Sequence, residues 1–298
     1  MIARMKTDLL SACTAGVVVC DGAMGTQLIL RGLTPGECGM RWNEERAADV
    51  GAVHDAYVQA GCRLITTNSF GGTRTMLDRH GVGDQVLNWN RRAASLARAA
   101  AGPDGWVFGD VGPFGDFLEP LGDTTEDALH GIFSEQIGAL AEGGADAILV
   151  ETMSDPGEAS VCVRAAKSVC GLPVAVTFAF QKSGGEFRTM MGTSARDAVS
   201  AALEAGADIV GANCGTDLNL DDCAALAAEL SRAAGGAPTI LQPNAGAPKS
   251  TPEGVLYDAT PGEMAAAALR LREAGISIIG GCCGTTPAHL AAMAQALS

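Results

Sequence analysis

Three cysteines stand where apolar runs give way to loops: Cys214, in Gly211-Ala212-Asn213-Cys214, and the adjacent pair Cys282-Cys283. Three thiolates can hold a tetrahedral Zn²⁺ and leave a fourth position open to a substrate, the arrangement of catalytic zinc. Their spacing is not that of a zinc finger, so a vicinal disulfide at Cys282-Cys283 or plain packing fits the bare spacing as well. Six further cysteines, Cys13, Cys20, Cys62, Cys162, Cys170 and Cys223, fall within or beside helical or strand patterns. There a free cysteine is usually a small buried hydrophobe. Cys38 reads as an incidental loop residue.

The other polar residues that directly follow apolar runs are Asp21-Gly22, Asn68-Ser69-Phe70, Asp110, Glu151-Thr152 and Asn244, with Phe180 among them. Single carboxylates, amides and thiols suit a small polar substrate and a soft metal. Strand-end carboxylates also cap helices or pair structurally, and that reading stays open for Asp21 and Glu151.

The elements that must position these residues follow one unit: a helical pattern, a glycine stop, and a buried strand. Gly61, Gly144, Gly206 and Gly275 each sit at such a junction, where a glycine can end a helix in the left-handed conformation. Val50, Val53, Tyr57 and Ala60 share one helical face upstream of the first. Ser194 to Asp197 and Thr260 to Glu263 read as capping boxes, the second with proline at the first helical position. Eight apolar runs read as strands, at 17–20, 64–67, 106–109, 147–150, 174–178, 209–212, 239–242 and 277–280. Their continuous apolar character suits parallel strands covered on both faces, and their starts lie 27 to 47 residues apart, room for a crossover helix each. The expectation is an α/β fold, a (β/α)₈ TIM barrel forming a single domain over 1–298, with the site at the C-terminal ends of the strands. An open doubly wound sheet is the alternative, but neither the dinucleotide nor the Walker fingerprint is present.

Composition narrows the partners. With 298 residues, 47% hydrophobic and 18% charged, the chain has ample material for a core and little for a disordered tail. A net charge of −14 argues against nucleic acid, which needs clustered lysine and arginine. No apolar run reaches the roughly 20 residues of a membrane span. Arg4 and Lys6 precede a short apolar stretch, 14–20, that runs straight into Asp21-Gly22, which is no signal peptide; a cytoplasmic location is expected.

At this point the motifs resemble a known family. Asp21-Gly22-Ala23-Met24-Gly25-Thr26, Thr67-Asn68-Ser69-Phe70, Glu151-Thr152, the Asn213-Cys214 motif, Pro243-Asn244-Ala245-Gly246 and Gly280-Gly281-Cys282-Cys283-Gly284-Thr285-Thr286-Pro287 resemble the homocysteine S-methyltransferases. That family includes betaine–homocysteine and S-methylmethionine–homocysteine methyltransferases and the homocysteine domain of cobalamin-dependent methionine synthase. The resemblance implies the same barrel, Zn²⁺ on Cys214, Cys282 and Cys283, and homocysteine as acceptor. Asp21 and the Gly22 backbone would then grip the amino acid, Glu151 its ammonium, and Asn68 and Asn213 would offer amide contacts. Asn244 would approach the zinc when substrate is absent.

The methyl donor is less legible. Trp42-Asn43-Glu44, the stretch 67–72 and Arg188 to Gly192 resemble bacterial betaine enzymes, and Trp42 could face a quaternary ammonium through a cation–π contact, helped by Phe70, Phe114, Phe117 and Phe180. Pro243-Asn244-Ala245-Gly246 and Tyr257-Asp258-Ala259-Thr260-Pro261 resemble the homocysteine domain of methionine synthase instead. The expectation is a small cationic donor, betaine or a methylsulfonium. A methyl-corrinoid protein as donor is the alternative within the class; a non-catalytic zinc or corrinoid-binding module is the alternative outside it.

Overall fold

The computed structural model describes residues 7–251 and 254–298; Arg4 and Lys6 lie outside the described residues. Eight parallel strands form the wall of a barrel: β1 (Val18–Val19), β2 (Leu64–Thr66), β3 (Trp106–Val111), β4 (Ala147–Met153), β5 (Val174–Phe178), β6 (Ile209–Cys214), β7 (Thr239–Pro243) and β8 (Ile278–Ile279). Each pairs with its neighbours in chain order, and β8 pairs with β1. Between β1 and β2 the ladder thins to a Cys20–Leu64 bridge, with Arg63 N–H donating to Val19 and Asp21 N–H to Leu64. Every expected strand is present at its expected place.

The period of two explains why the runs are apolar throughout. Leu64, Trp106, Phe108, Ala147, Leu149, Ala175, Ile209, Ile240 and Ile278 fill the barrel interior. Their neighbours Ile65, Val107, Ile148, Val150, Val174, Val176, Val210, Leu241 and Ile279 face outward into the larger core beneath the helices. The four junction glycines all adopt positive φ, between 92° and 105°. Thr260 and Glu263 form the expected capping box; Ser194 caps its helix by accepting the Asp197 N–H.

Three features depart from the expectation. The apolar stretch 14–20 divides: a helix, Leu9–Ala15, ends at Gly16 before β1 begins. Leu9 and Cys13 of that helix pack against the interior residues, and Trp106 Nε1 donates to Thr7 O at 3.1 Å, closing the N-terminal mouth. Hairpins follow β5 (Phe180–Ser183 with Glu186–Thr189) and β7 (Lys249–Thr251 with Gly254–Leu256), both at the C-terminal rim. No helix among the described residues is long and apolar enough to cross a membrane.

One buried carboxyl ties the rim to the helical layer. Glu158, in the helix Pro156–Val169, is 7% exposed and accepts the Phe114 N–H at 2.7 Å. Burial pushes its pKa up to about 7, above the ordinary 4.5. A carboxyl raised in the folded state binds its proton more tightly there, so its contribution is full below about pH 4.5 and is lost as pH rises through 7. Glu158→Gln keeps the acceptor without the charge. Melting curves should show the variant level with wild type at pH 5 and more stable at pH 8, by on the order of 2–3 kcal/mol; equal pH slopes would refute the assignment.

Candidate active site

Beyond the apolar interior, the inward positions of successive strands turn polar: Thr66 on β2, Asp110 on β3, Glu151 on β4, Thr177 on β5, Asn213 on β6 and Gln242 on β7. Above them opens a cavity of about 500 Å³. Gly22, Asn68, Asp110, Glu151 and the three cysteines line it, with Met24, Leu28, Leu33, Met40, Phe70 and Met76 on its apolar side. Among the described residues no lysine or arginine does so.

Cys214, Cys282 and Cys283 form the one His/Cys/Asp/Glu cluster of metal-binding dimensions among the described residues, their sulfurs all within 4.8 Å of one another. Cys214 ends β6 in the left-handed region, φ 55°. The loop after β8 is clamped between its neighbours: Gly281 N–H donates to Asp21 O, Cys282 N–H to Pro243 O, Ala245 N–H to Cys283 O, and Gly284 N–H to Thr26 Oγ1. Gly284 is required there, because its φ is +77° and a Cβ would stand 2.3 Å from Tyr257. The Cys214–Cys283 and Cys282–Cys283 sulfurs lie 3.9 Å apart, and all ten cysteines are free, so the vicinal disulfide is not formed. Donation from the Cys214 and Cys282 thiols, and then from the Tyr257 phenol, draws Cys283 down to about 3.

Glu151 lines the cavity where β4 leaves its regular register, and Thr152 beside it has φ 59°. Strain of this kind persists only when neighbours over-determine it. Here Asn213 does so: its Oδ1 accepts the Thr152 N–H at 3.1 Å and its Nδ2 donates to Thr152 Oγ1 at 2.7 Å. The same Nδ2 lies 3.7 Å from Cys282 Sγ. Asn213 therefore sits behind the cavity wall, coupling the Glu151 turn to a thiol. Burial, then the negative Cys283 and Asp21, pushes the Glu151 carboxyl up to about 8.

The remaining expected residues are placed unequally. Gly22 lines the cavity; a Cβ there would stand 2.6 Å from Thr285 Oγ1. Asn68 lines it as well, with its amide donating to Gly39 O and Asn43 Oδ1. Asp21 lies below the floor, its carboxylate accepting from Thr66 N–H and Oγ1, each at 2.8 Å. Burial raises it to about 7, opposed by those bonds. Asn244 is buried against Cys214, its Nδ2 donating to Gly215 O at 3.3 Å. Trp42 is 6% exposed and does not line the cavity; the Arg46 guanidinium, 3.7 Å from its ring centroid, already covers one face. Phe114 and Phe180 are core residues and Phe117 is on an exposed loop, which leaves Phe70 as the one phenylalanine, tyrosine or tryptophan lining the cavity among the described residues.

Three further residues belong to the site: Thr66 and Gln242 line the cavity, and the Tyr257 phenol donates to Cys283. Tyr257 had a signal in its Tyr-Asp-Ala-Thr-Pro motif; Thr66 and Gln242 had only their strand parity.

The profile described as homocysteine S-methyltransferase matches residues 18–297, nearly the whole chain. The chain belongs to the homocysteine S-methyltransferase family. This family member is 34% identical over 310 residues to methionine synthase of Mycobacterium tuberculosis, and 33% identical over 313 to that of Mycobacterium leprae. The alignments cover 98% and 99% of the chain but 25% of each relative, so the chain spans about a quarter of the length of these relatives. In fold it is similar to the Escherichia coli homocysteine methyltransferase MmuM: TM-score 0.78 with the oxidized form and 0.75 with the metallated form, each at 23% identity. Those superpositions cover 96% and 94% of this chain, and 99% and 96% of the other.

Proposed function

We propose that the protein transfers a methyl group from a small onium donor to homocysteine, giving methionine, with Zn²⁺ held by Cys214, Cys282 and Cys283. The observation that carries this reading is a three-thiol cluster at the edge of a cavity whose floor bears Glu151. The donor set suits zinc. Tetrahedral coordination at about 2.3 Å per sulfur requires sulfurs about 3.8 Å apart, and two of the pairs here lie at 3.9 Å. The metallated form of MmuM supports the presence of a metal.

When bound, the zinc supplies deprotonation of a coordinating thiol, whose pKa is otherwise near 8.5. The chain's own residues do the rest. Three cysteine thiolates, with the ion, leave a net charge of −1, which keeps an incoming sulfur electron-rich. Glu151 takes the substrate ammonium. With no lysine or arginine on the cavity wall, the substrate carboxylate is met by neutral donors such as the backbone beside Gly22. The sulfur attacks the donor methyl carbon in line as the bond to the leaving group breaks, and the leaving group departs with that electron pair. No general base is assigned; the protein contributes alignment.

The acidic cavity, lined by no lysine or arginine among the described residues, favours a cationic donor, and its apolar side of methionine and leucine favours a sulfonium over a quaternary ammonium that would seek an aromatic cage. A second reading has its own support. The methionine synthase relatives are about four times as long, and exposed apolar residues stand on the segments that follow the C-terminal ends of three strands: Phe117 and Leu121 after β3, Met190 and Met191 after β5, Val255 and Leu256 after β7. Those segments suit a docked methyl-corrinoid protein.

The test is methionine formation by zinc-loaded protein from homocysteine, with S-methylmethionine, betaine and methylcobalamin offered separately. Turnover with S-methylmethionine supports the reading. Turnover with methylcobalamin alone would move the assignment to the corrinoid route, and silence with all three, despite bound zinc, would remove the onium donor.

A further inference from the structure

Three carboxyl groups approach the cavity floor, and they differ in what they have left to give. Asp21 is committed: Thr66 N–H and Oγ1 occupy its two oxygens, the Cys20 thiol lies 3.5 Å from one of them, and it does not line the cavity. Glu151 lines the cavity. Asp110 lines it too, is only 3% exposed, and its Oδ1 has no hydrogen-bond partner. A buried acceptor left unmade costs folding free energy, so this oxygen is explained by something that arrives later.

The Asp110 backbone is fixed, and so is the position from which its side chain reaches into the cavity. Its N–H donates to Thr67 Oγ1 at 2.9 Å, and its carbonyl accepts from Ser69 Oγ at 2.7 Å and Gln136 Nε2 at 3.2 Å. In register it pairs with Leu149, two residues before Glu151 on the same inward face of β4. Asp110 is thus one pleat deeper than Glu151 on the adjacent strand. Glu151 and Asp21 are the charges that bear on Asp110, and Cys283 and then Asp21 those that bear on Glu151. A donor cation, placed beside the reacting sulfur, would lie near the thiols. The amine of an acceptor anchored by its sulfur lies several bonds further off, on the Asp110 side. An ammonium carries three N–H donors, more than Glu151 alone satisfies.

We propose that Asp110 is a second carboxyl contact for the α-ammonium of the acceptor, beside Glu151, and so a determinant of preference for amino-acid thiols over thiols lacking the amine. The proposal rests on the acceptor being homocysteine. It concerns binding, so no donor is needed to test it.

The experiment is calorimetric titration of zinc-loaded wild type and Asp110→Asn with L-homocysteine and with γ-mercaptobutanoate, the same thiol acid without its amine. Zinc content and melting temperature are measured on both proteins. The expected result is homocysteine affinity lowered roughly 10- to 100-fold in the variant, mercaptobutanoate affinity unchanged or improved, and zinc content unchanged. Equal losses for both thiols, or an intact preference for homocysteine, would overturn the assignment of Asp110 while leaving the acceptor reading in place. Failure of wild type to bind homocysteine at all would overturn both. Asp110→Ser provides the same comparison with a smaller side chain if the asparagine variant does not fold.

Discussion

Replacing Cys214 with serine is expected to strip the metal from the protein and abolish turnover. Zinc bound by four ligands in small proteins contributes about 10–16 kcal/mol, so one thiolate accounts for about 3 kcal/mol, or two decades of affinity. The hydroxyl that replaces it is neutral at pH 7 and a poor ligand for a borderline-soft ion. Serine fits the space and requires the same left-handed backbone, φ 55°, that cysteine already adopts. The loss is therefore one of ligation. Zinc retained after dialysis against a competing chelator reads it directly, and a Cys214→Ser protein that keeps its full complement would remove Cys214 from the ligand set.

Glu151→Gln is expected to have the next largest effect, and a different one. The variant keeps the side-chain shape but cannot ionise, as Glu151 does once the substrate ammonium offsets the burial that holds its carboxyl up at about 8. Removing one partner of a buried charge pair costs about 2–5 kcal/mol, so KM for homocysteine should rise roughly 30-fold or more with zinc content unaltered. A smaller change in kcat is expected, because the amine lies away from the reacting sulfur. The decisive control is the thiol without the amine: if its KM rises as much as that of homocysteine, Glu151 supports the fold of the site and not the ammonium.

The two substitutions probe residues that were legible for different reasons. The cysteines announce themselves by residue type and by standing after apolar runs, and the barrel follows from eight such runs separated by glycine-stopped helices. Strand ends were harder to read. β3 runs on through Asp110 and Val111, β4 through Met153 and β6 through Cys214, because a strand that opens onto a polar cavity stays paired after its side chains cease to be apolar. Hydrophobic pattern marks burial, not pairing. The hairpin after β5 had a signal that pattern reading passed over: Gly184-Gly185, both at positive φ, the dipeptide that favours a tight hairpin turn. Trp42 was legible as an aromatic residue near the rim, but its neighbour Arg46 settles which way the ring is covered, and that is a matter of side-chain packing. Asn213 shows the same limit: residue type and position put it at the site, and only the bonds to Thr152 place it behind the wall.

The bonds of Asp21 have a mechanical consequence. The barrel's thinnest seam lies between β1 and β2, where main-chain pairing ends at Cys20 and Leu64. One step further on, the Asp21 carboxylate grasps Thr66 and continues the join with a side chain. Asp21 is in that sense a stitch. An alanine there would let the two strands part at the top, carrying Gly22 and Thr66 away from each other and widening the floor under any bound amino acid. Lost activity in such a variant would measure the opening of a seam as much as the absence of a ligand contact.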